Sequence, residues 1–102
     1  MIQWATKLYI GDQLINKKDK AIRKINKRKI TNDVYCIALA SNLHNLFDIM
    51  NANELLFPYY NRTDIKIIGL AKGESEALNL VQDMLMEVYH NTGGFNVREY
   101  FT

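Results

Sequence analysis

The residues of this chain best suited to do chemistry are lysines and arginines gathered in one short segment. Residues 17–29 hold eight of the thirteen basic residues and one of the eleven acidic ones, so the segment carries +7 and the rest of the chain −5. A helix turns about 100° per residue, which places six of these side chains within an arc of about 140°: Lys17, Lys20, Arg23, Lys24, Lys27 and Arg28. Such a face attracts polyanions, and neutralising their phosphates releases counterions. The alternative is an exposed helix that is simply solvated by its lysines.

Two further patterns point weakly to ligands. Tyr59 and Tyr60 are adjacent and cannot both point inward easily, so one of them is expected to mark a pocket or an interface. Residues 69–73 (GLAKG) pass from a predicted strand to a predicted helix, where backbone N–H groups can hold a phosphate with Lys72 as the charged helper. The glycine spacing of a dinucleotide-binding or Walker loop is missing, and the acids that follow already occupy the helix start.

Residue types used in metal and acid–base chemistry are scattered rather than clustered. No spacing predicts a metal site or a cofactor, and Cys36 lies in the middle of an apolar run, where a buried thiol is the ordinary case. A small enzyme with its site around Ser41, His44 and Lys72 is the third hypothesis for function. The remaining candidates have ordinary explanations as caps and surface groups: Asp33, Asp48, Glu54, Asp64 and His90.

The elements that must position these groups begin with two similar apolar runs, residues 33–40 (DVYCIALA) and 64–71 (DIKIIGLA). Each is too short for a helix and rich in β-branched residues, which predicts two central β-strands. Shared strand composition explains their similarity, with internal duplication as the alternative. A third strand is expected over residues 46–50, as the antiparallel hairpin partner of the first, and a fourth over residues 7–10.

Helices are predicted by capping signals and by periodicity. Asn51 with Glu54 and Asn96 with Glu99 have the spacing of capping boxes, which predicts short helical turns over 52–57 and near the C-terminus. Residues 74–91 show apolar residues at helical spacing and end before two glycines, so they form the main helix. Residues 17–28 form a less apolar helix.

These elements predict an α+β two-layer sandwich with a mixed sheet of three or four strands and helices mainly on one face. The connection over residues 51–63 is long enough for a crossover, so the two central strands are expected to be parallel neighbours. Small residues on the face of Val34 and Cys36 lead us to place the long helix there. The other face must then be covered by the 17–28 helix, by the chain termini or by another subunit. It supplies candidate interface residues, to which the tyrosine pair is added: Ile37, Leu39, Ile68, Leu70, Tyr59 and Tyr60.

Length and composition restrict the class of protein. One hundred and two residues with 48% hydrophobic and 24% charged content predict a single domain over 1–102 and argue against disorder. Neither a secretory signal nor an apolar run of about 20 residues is visible, so no membrane association is expected and the expected compartment is the cytoplasm. A single cysteine agrees with a reducing compartment.

In residues 33–42, 45–60 and 67–101 the chain resembles a group of short, uncharacterised proteins of Firmicutes bacteria. That resemblance implies a bacterial single-domain family and brings no activity, cofactor or catalytic residue with it. The sequence therefore favours a small non-enzymatic cytoplasmic interaction module. It is expected to associate with itself as a dimer, through the uncovered sheet face or through the helix that carries Met84 and Met86. The alternative is binding of nucleic acid or another polyanion through the basic helix, with nucleic acid or an acidic protein as the partner.

Overall fold

The computed structural model describes residues 2–40, 46–61 and 64–101, and these form an α+β domain around one four-stranded sheet. The strands are β1 (Ile2–Ile10), β2 (Val34–Leu39), β3 (Phe47–Asn51) and β4 (Ile65–Lys72). The helices are α1 (Lys18–Asn26), α2 (Gly73–Thr92) and α3 (Val97–Tyr100), with single 3-10 turns at Ile15–Lys17, Ala52–Leu56 and Pro58–Asn61. The α+β class with a mixed sheet is confirmed. Among the described residues, no helix is both long enough and apolar enough to cross a membrane.

The strand order is β1-β4-β2-β3, so the two apolar runs are the two central strands as predicted. β1 pairs parallel to β4, whereas β2 pairs antiparallel to both β3 and β4. The expected parallel pairing of the central strands is therefore wrong. A crossover makes a strand parallel to the one that the chain has just left. Here that strand is β3, which is already antiparallel to β2.

A β-bulge in β4 changes which side chains share a face. Ile37 pairs with Gly69 and Ala38 pairs with Ile67, which leaves Ile68 as the extra residue. A Cβ atom added to Gly69 would lie only 3.2 Å from Ile37 Cδ1, so glycine permits this close approach. Beyond the bulge the alternation is reset. Leu70 therefore packs on the face opposite Ile37 and Ile68, contrary to the assignment by simple alternation.

Side chains cover both faces of the sheet. On one face, α1 and the Ala52–Leu56 turn close a core that we call the α1-side core; it includes Ala21, Ile25, Cys36, Leu55 and Ile67. On the other face, Met84 of α2 packs against Ile37 and Ile68 in a core that we call the α2-side core.

The long helix thus lies on the bulky face, not on the small-residue face where we expected it. Met84 packs in one cluster with Ile37 and Ile68 and is fully buried. The face with Cys36 and Ala38 is filled instead by the shorter α1 and the turn. The expected two-layer arrangement therefore gains a partial third layer.

The predicted caps position the helix ends. The Asn51 side chain accepts a hydrogen bond from Asn53 N–H (2.9 Å), and Glu54 accepts one from Asn51 N–H (3.1 Å), so this capping box is confirmed. Gly93 ends α2 in the left-handed conformation, with φ of 78°. Asn96 caps α3, but Glu99 accepts from the Asn96 side-chain amide rather than from its backbone.

Candidate nucleic-acid interface

The basic segment forms a helix because its few apolar residues recur on one side. Ala21 and Ile25 of α1 are 5% and 4% exposed, and Ile22 packs beside them against the α1-side core. The opposite side of α1 presents charged side chains to solvent. The helix ends at Asn26, and two residues later Arg28 takes a φ of 53°, a left-handed conformation that cannot continue a helix.

The charged side chains of α1 line two neighbouring grooves. The first, which we call the cleft, lies between α1 and the start of β2, has a volume of about 250 Å³, and is lined by Lys17, Lys20, Lys24 and Lys72 together with apolar and neutral polar residues. The second, which we call the outer groove, has a volume of about 210 Å³. Five basic residues line it: Lys20, Arg23, Lys24, Lys27 and Lys29.

Lys20 and Lys24 belong to both grooves and form the ridge between them. We call the lysines and Arg23 that line the two grooves the basic surface. Among the described residues that line the two grooves, seven are basic and none is acidic. Concentrating cations in adjacent concave surfaces raises the local positive potential, which is the property that a polyanion requires.

The structure changes the predicted set by one loss and two gains. Arg28 does not line either groove; its guanidinium donates a hydrogen bond to the Leu55 carbonyl (3.2 Å), which anchors α1 to the Ala52–Leu56 turn. Lys29 joins the outer groove because the chain turns back at Arg28. Lys72 joins the cleft from β4, a contribution that only tertiary structure brings about.

Polar contacts fix the walls of the basic surface. The backbone N–H and hydroxyl of Thr31 both donate to Asn53 Oδ1 (2.8 and 3.1 Å), and the Asn53 amide donates to the Thr31 carbonyl (3.1 Å). Trp4 Nε1 donates to Asn26 Oδ1 (2.8 Å), which attaches the end of α1 to β1. The lysines of α1 are thus carried on a helix whose C-terminal end, and the chain that follows it, are held by side-chain hydrogen bonds.

The predicted phosphate site at the start of α2 is occupied by the protein itself. Lys72 N–H donates to Glu76 Oε1 (2.8 Å), and Gly73 N–H donates to the Asp33 carbonyl (2.8 Å). The other oxygen of Glu76 accepts from Gln13 N–H (2.9 Å). Lys72 instead directs its ammonium group to the Asn32 carbonyl (2.8 Å), at the edge of the cleft.

The predicted interface residues fall into two groups. Ile37, Ile68 and Leu70 are fully buried within the chain, because α2 covers the first two and the bulge moves the third into the α1-side core. They form no free surface. Leu39 is half-buried beside the α2-side core.

The adjacent tyrosines Tyr59 and Tyr60 point to different surroundings. Tyr59 is 66% exposed, while Tyr60 is half-buried against the α1-side core, and their rings meet edge to face at 5.0 Å. Burial is the main cause that raises the pKa of Tyr60. Both rings line a cavity of about 460 Å³ together with Asp48, Asp64 and Arg98.

The other sequence candidates acquire no shared catalytic geometry. Burial raises the pKa of the Cys36 thiol to about 12, which leaves it protonated and unreactive at neutral pH. Ser41 and His44 lie outside the described residues, and Lys72 belongs to the cleft. In the part of the chain that the structure describes, no three His, Cys, Asp or Glu side chains come together as a metal site.

One polar cluster has no signal in the sequence. The hydroxyls of Tyr9 and Tyr100 both donate to Glu87 Oε2, the second at 3.0 Å, and Asn91 donates to the Tyr100 oxygen (2.6 Å). The hydrogen bond from Tyr9 is the main cause that lowers the pKa of Glu87. Burial, with Glu87 nearby, raises the pKa of Tyr9. The cluster links β1 to α2 and α3 and serves to hold the fold together.

Comparison of the chain with protein-family models, with curated proteins and with solved structures finds no match.

Proposed function

We propose that this protein binds nucleic acid through the phosphate backbone, using the basic surface. The observation that carries the proposal is the ridge formed by Lys20 and Lys24, which places cations in two adjacent grooves whose described charged residues are all basic. Phosphate contacts of this kind give affinity and position without reading sequence.

The distribution of charge supports the same function. The chain as a whole carries only +2, yet residues 17–29 carry +7. A polyanion is therefore attracted by one side of the molecule and repelled by the rest, which orients the encounter. The outer groove contains no aromatic side chain among its described residues, so backbone contact is favoured over stacking on bases.

The test compares two charge-matched double variants in an anisotropy assay with a fluorescein-labelled 20-base-pair duplex. K20Q/K24Q removes the ridge, and K7Q/K18Q removes two exposed lysines that line neither groove. We expect K20Q/K24Q to weaken binding about tenfold and to reduce the slope of log K against log salt by about two, since each lysine accounts for about one phosphate contact. K7Q/K18Q should change affinity by about twofold or less.

Equal losses of duplex affinity in the two variants would show that only the net charge of the protein matters, and would reject the proposal that the basic surface is the binding site. If heparin binds more tightly than the duplex, with the same dependence on the ridge, the ligand of the basic surface is a polyanion other than nucleic acid.

A second candidate function, self-association, rests on the outer side of α2 and on Phe95, which follows the helix. Leu78, Met86, Tyr89 and Phe95 are each about half exposed, and the rings of Tyr89 and Phe95 stack at 5.3 Å. Together they offer on the order of 400 Å² of apolar surface, about half of what each partner contributes to a standard interface. The occupant that we propose is a second copy of the chain, in a weak dimer.

Sedimentation equilibrium of the wild type and of L78E/M86E tests this dimer. The wild type should show a mass that rises with concentration, and the variant should stay monomeric. A wild-type mass of one chain at the highest concentrations reached would remove this second function and leave nucleic-acid binding untouched.

A further inference from the structure

The cleft differs from the outer groove in its floor. Three apolar side chains, Leu14, Ala21 and Val34, line it and are 2%, 5% and 5% exposed, while four lysines line the same space. The outer groove has basic side chains alone. An apolar floor below a charged rim suits a ligand that has both a phosphate and an organic body, rather than a bare inorganic anion.

The number of cations in the cleft favours one kind of phosphate. A phosphate monoester carries about −1.5 to −2 at pH 7, because its second pKa is near 6. A backbone phosphodiester carries one negative charge. Four lysines around one cavity therefore match a terminal monoester better than an internal diester.

Lys72 gives the cleft a positioned donor. Its ammonium group donates to the Asn32 carbonyl at 2.8 Å, which uses one of its three hydrogens and leaves two for a ligand. The backbone N–H groups of Lys72 and Gly73 already donate to the Glu76 carboxylate and the Asp33 carbonyl. The lysine side chains must therefore hold the phosphate. A volume of about 250 Å³ is just below the range of about 300–1,000 Å³ typical of ligand pockets, so the cleft has no room for two nucleotides, and part of a single bound nucleotide must extend into solvent.

We infer that the cleft binds a single nucleotide unit through its terminal phosphate monoester, with the sugar and base over Leu14, Ala21 and Val34. This inference rests on the proposed function: in a nucleic-acid complex, the unit is the phosphorylated end of a strand, and the outer groove holds the diester backbone that follows it. A free mononucleotide has the same chemistry.

Calorimetric titration with AMP, adenosine and inorganic phosphate examines the cleft directly. AMP should bind at least about tenfold more tightly than either fragment, since it alone uses both rim and floor. Lowering the pH from 7 to 5 should weaken AMP binding several-fold, because the monoester loses charge near pH 6. Failure of AMP to bind, or binding equal to that of phosphate, would overturn the inference.

Matched variants locate the site. Lys72 and Lys17 line only the cleft, whereas Lys29 lines only the outer groove. We expect K72Q and K17Q each to weaken AMP binding by about fivefold, the effect of losing one charged phosphate contact, and K29Q to change it less than about twofold. Similar effects of K72Q and K29Q on AMP would place the ligand outside the cleft and contradict the inference.

An oligonucleotide with and without a 5′-phosphate distinguishes the two sources and separates this inference from the proposed function. Preference for the phosphorylated strand that disappears in K72Q identifies the strand end as the ligand. Equal binding of the two strands, together with tight AMP binding, identifies the free mononucleotide. If K20Q/K24Q loses duplex binding while the wild-type protein does not bind AMP, the proposed function is retained and the cleft is rejected as a nucleotide site.

Discussion

The two longer helices cover opposite faces of one sheet, and they differ in how they divide stability and function. α2 has twenty residues and buries Ala77, Met84 and Val88 completely. α1 has nine residues, buries Ala21 and Ile25, and presents lysines along the rest of its surface. The helix with the larger apolar contact therefore specifies the fold, while the shorter one needs just enough contact to hold its charges in place.

The largest expected effect lies under α2. Met84→Ala removes a fully buried side chain from the cluster with Ile37 and Ile68, and we expect it to lower the free energy of unfolding by about 3 kcal/mol. Met86 is 48% exposed on the same helix, so Met86→Ala should change it by about 0.5 kcal/mol or less. Urea denaturation of the two variants measures the difference. Equal losses would mean that α2 does not pack on the sheet in this orientation.

A smaller loss is expected under α1. Ile25→Ala should cost about 2 kcal/mol, near the lower end for such a truncation, because α1 is short and lies at the edge of its core. Ile30 is 72% exposed and gives the matched control, Ile30→Ala, with a change of about 0.5 kcal/mol or less. If Ile25→Ala proved more damaging than Met84→Ala, α1 would be the structural helix and the comparison would be reversed.

Local sequence patterns were sufficient to predict the helix ends and the charged side of α1. The Asn51–Glu54 capping box, the glycine end of α2 and the basic side of α1 depend on residues a few positions apart, so spacing alone predicts them. The face that α2 covers was not predictable in this way. It depends on the bulge at Ile68, where one extra residue resets the alternation of β4.

The candidate site shows the same limit. Five of its seven basic residues were selected from helical spacing, but Lys72 comes from β4, more than forty residues later, and reaches the cleft only through folding. Arg28 has the correct helical angle, yet the helix ends before it and its side chain bonds to Leu55. Periodicity cannot tell where a helix stops with single-residue accuracy.

Glu87, in the C-terminal half of α2, makes the stability contributed by this helix depend on pH. Its folded pKa is lowered, so its contribution to stability is present above the ordinary pKa of 4.5 and is lost as the pH falls through the folded pKa. Glu87→Gln removes the charge that accepts from Tyr9 and Tyr100, and we expect it to cost about 1–2 kcal/mol at pH 7. The difference in the free energy of unfolding between Glu87→Gln and the wild type should become smaller as the pH is lowered toward 3.

Denaturation at a series of pH values measures that gap, with Asp83→Asn as an exposed control on the same helix. A gap of constant size from pH 7 to pH 3 would show that the tyrosine hydroxyls do not depend on the carboxylate charge.

The smallest expected effect on stability belongs to the lysines that we expect to matter most for binding. Lys20 is exposed and Lys24 is half-exposed, and both lie among other cations. K20Q/K24Q should therefore change the free energy of unfolding by about 0.5 kcal/mol or less. Relief of like-charge repulsion offsets any lost packing of the side-chain stems. Urea denaturation at low and moderate salt measures this directly. A loss above about 1 kcal/mol would mean that the ridge supports the fold, and weaker nucleic-acid binding in the variant would then need no contact with phosphate to explain it.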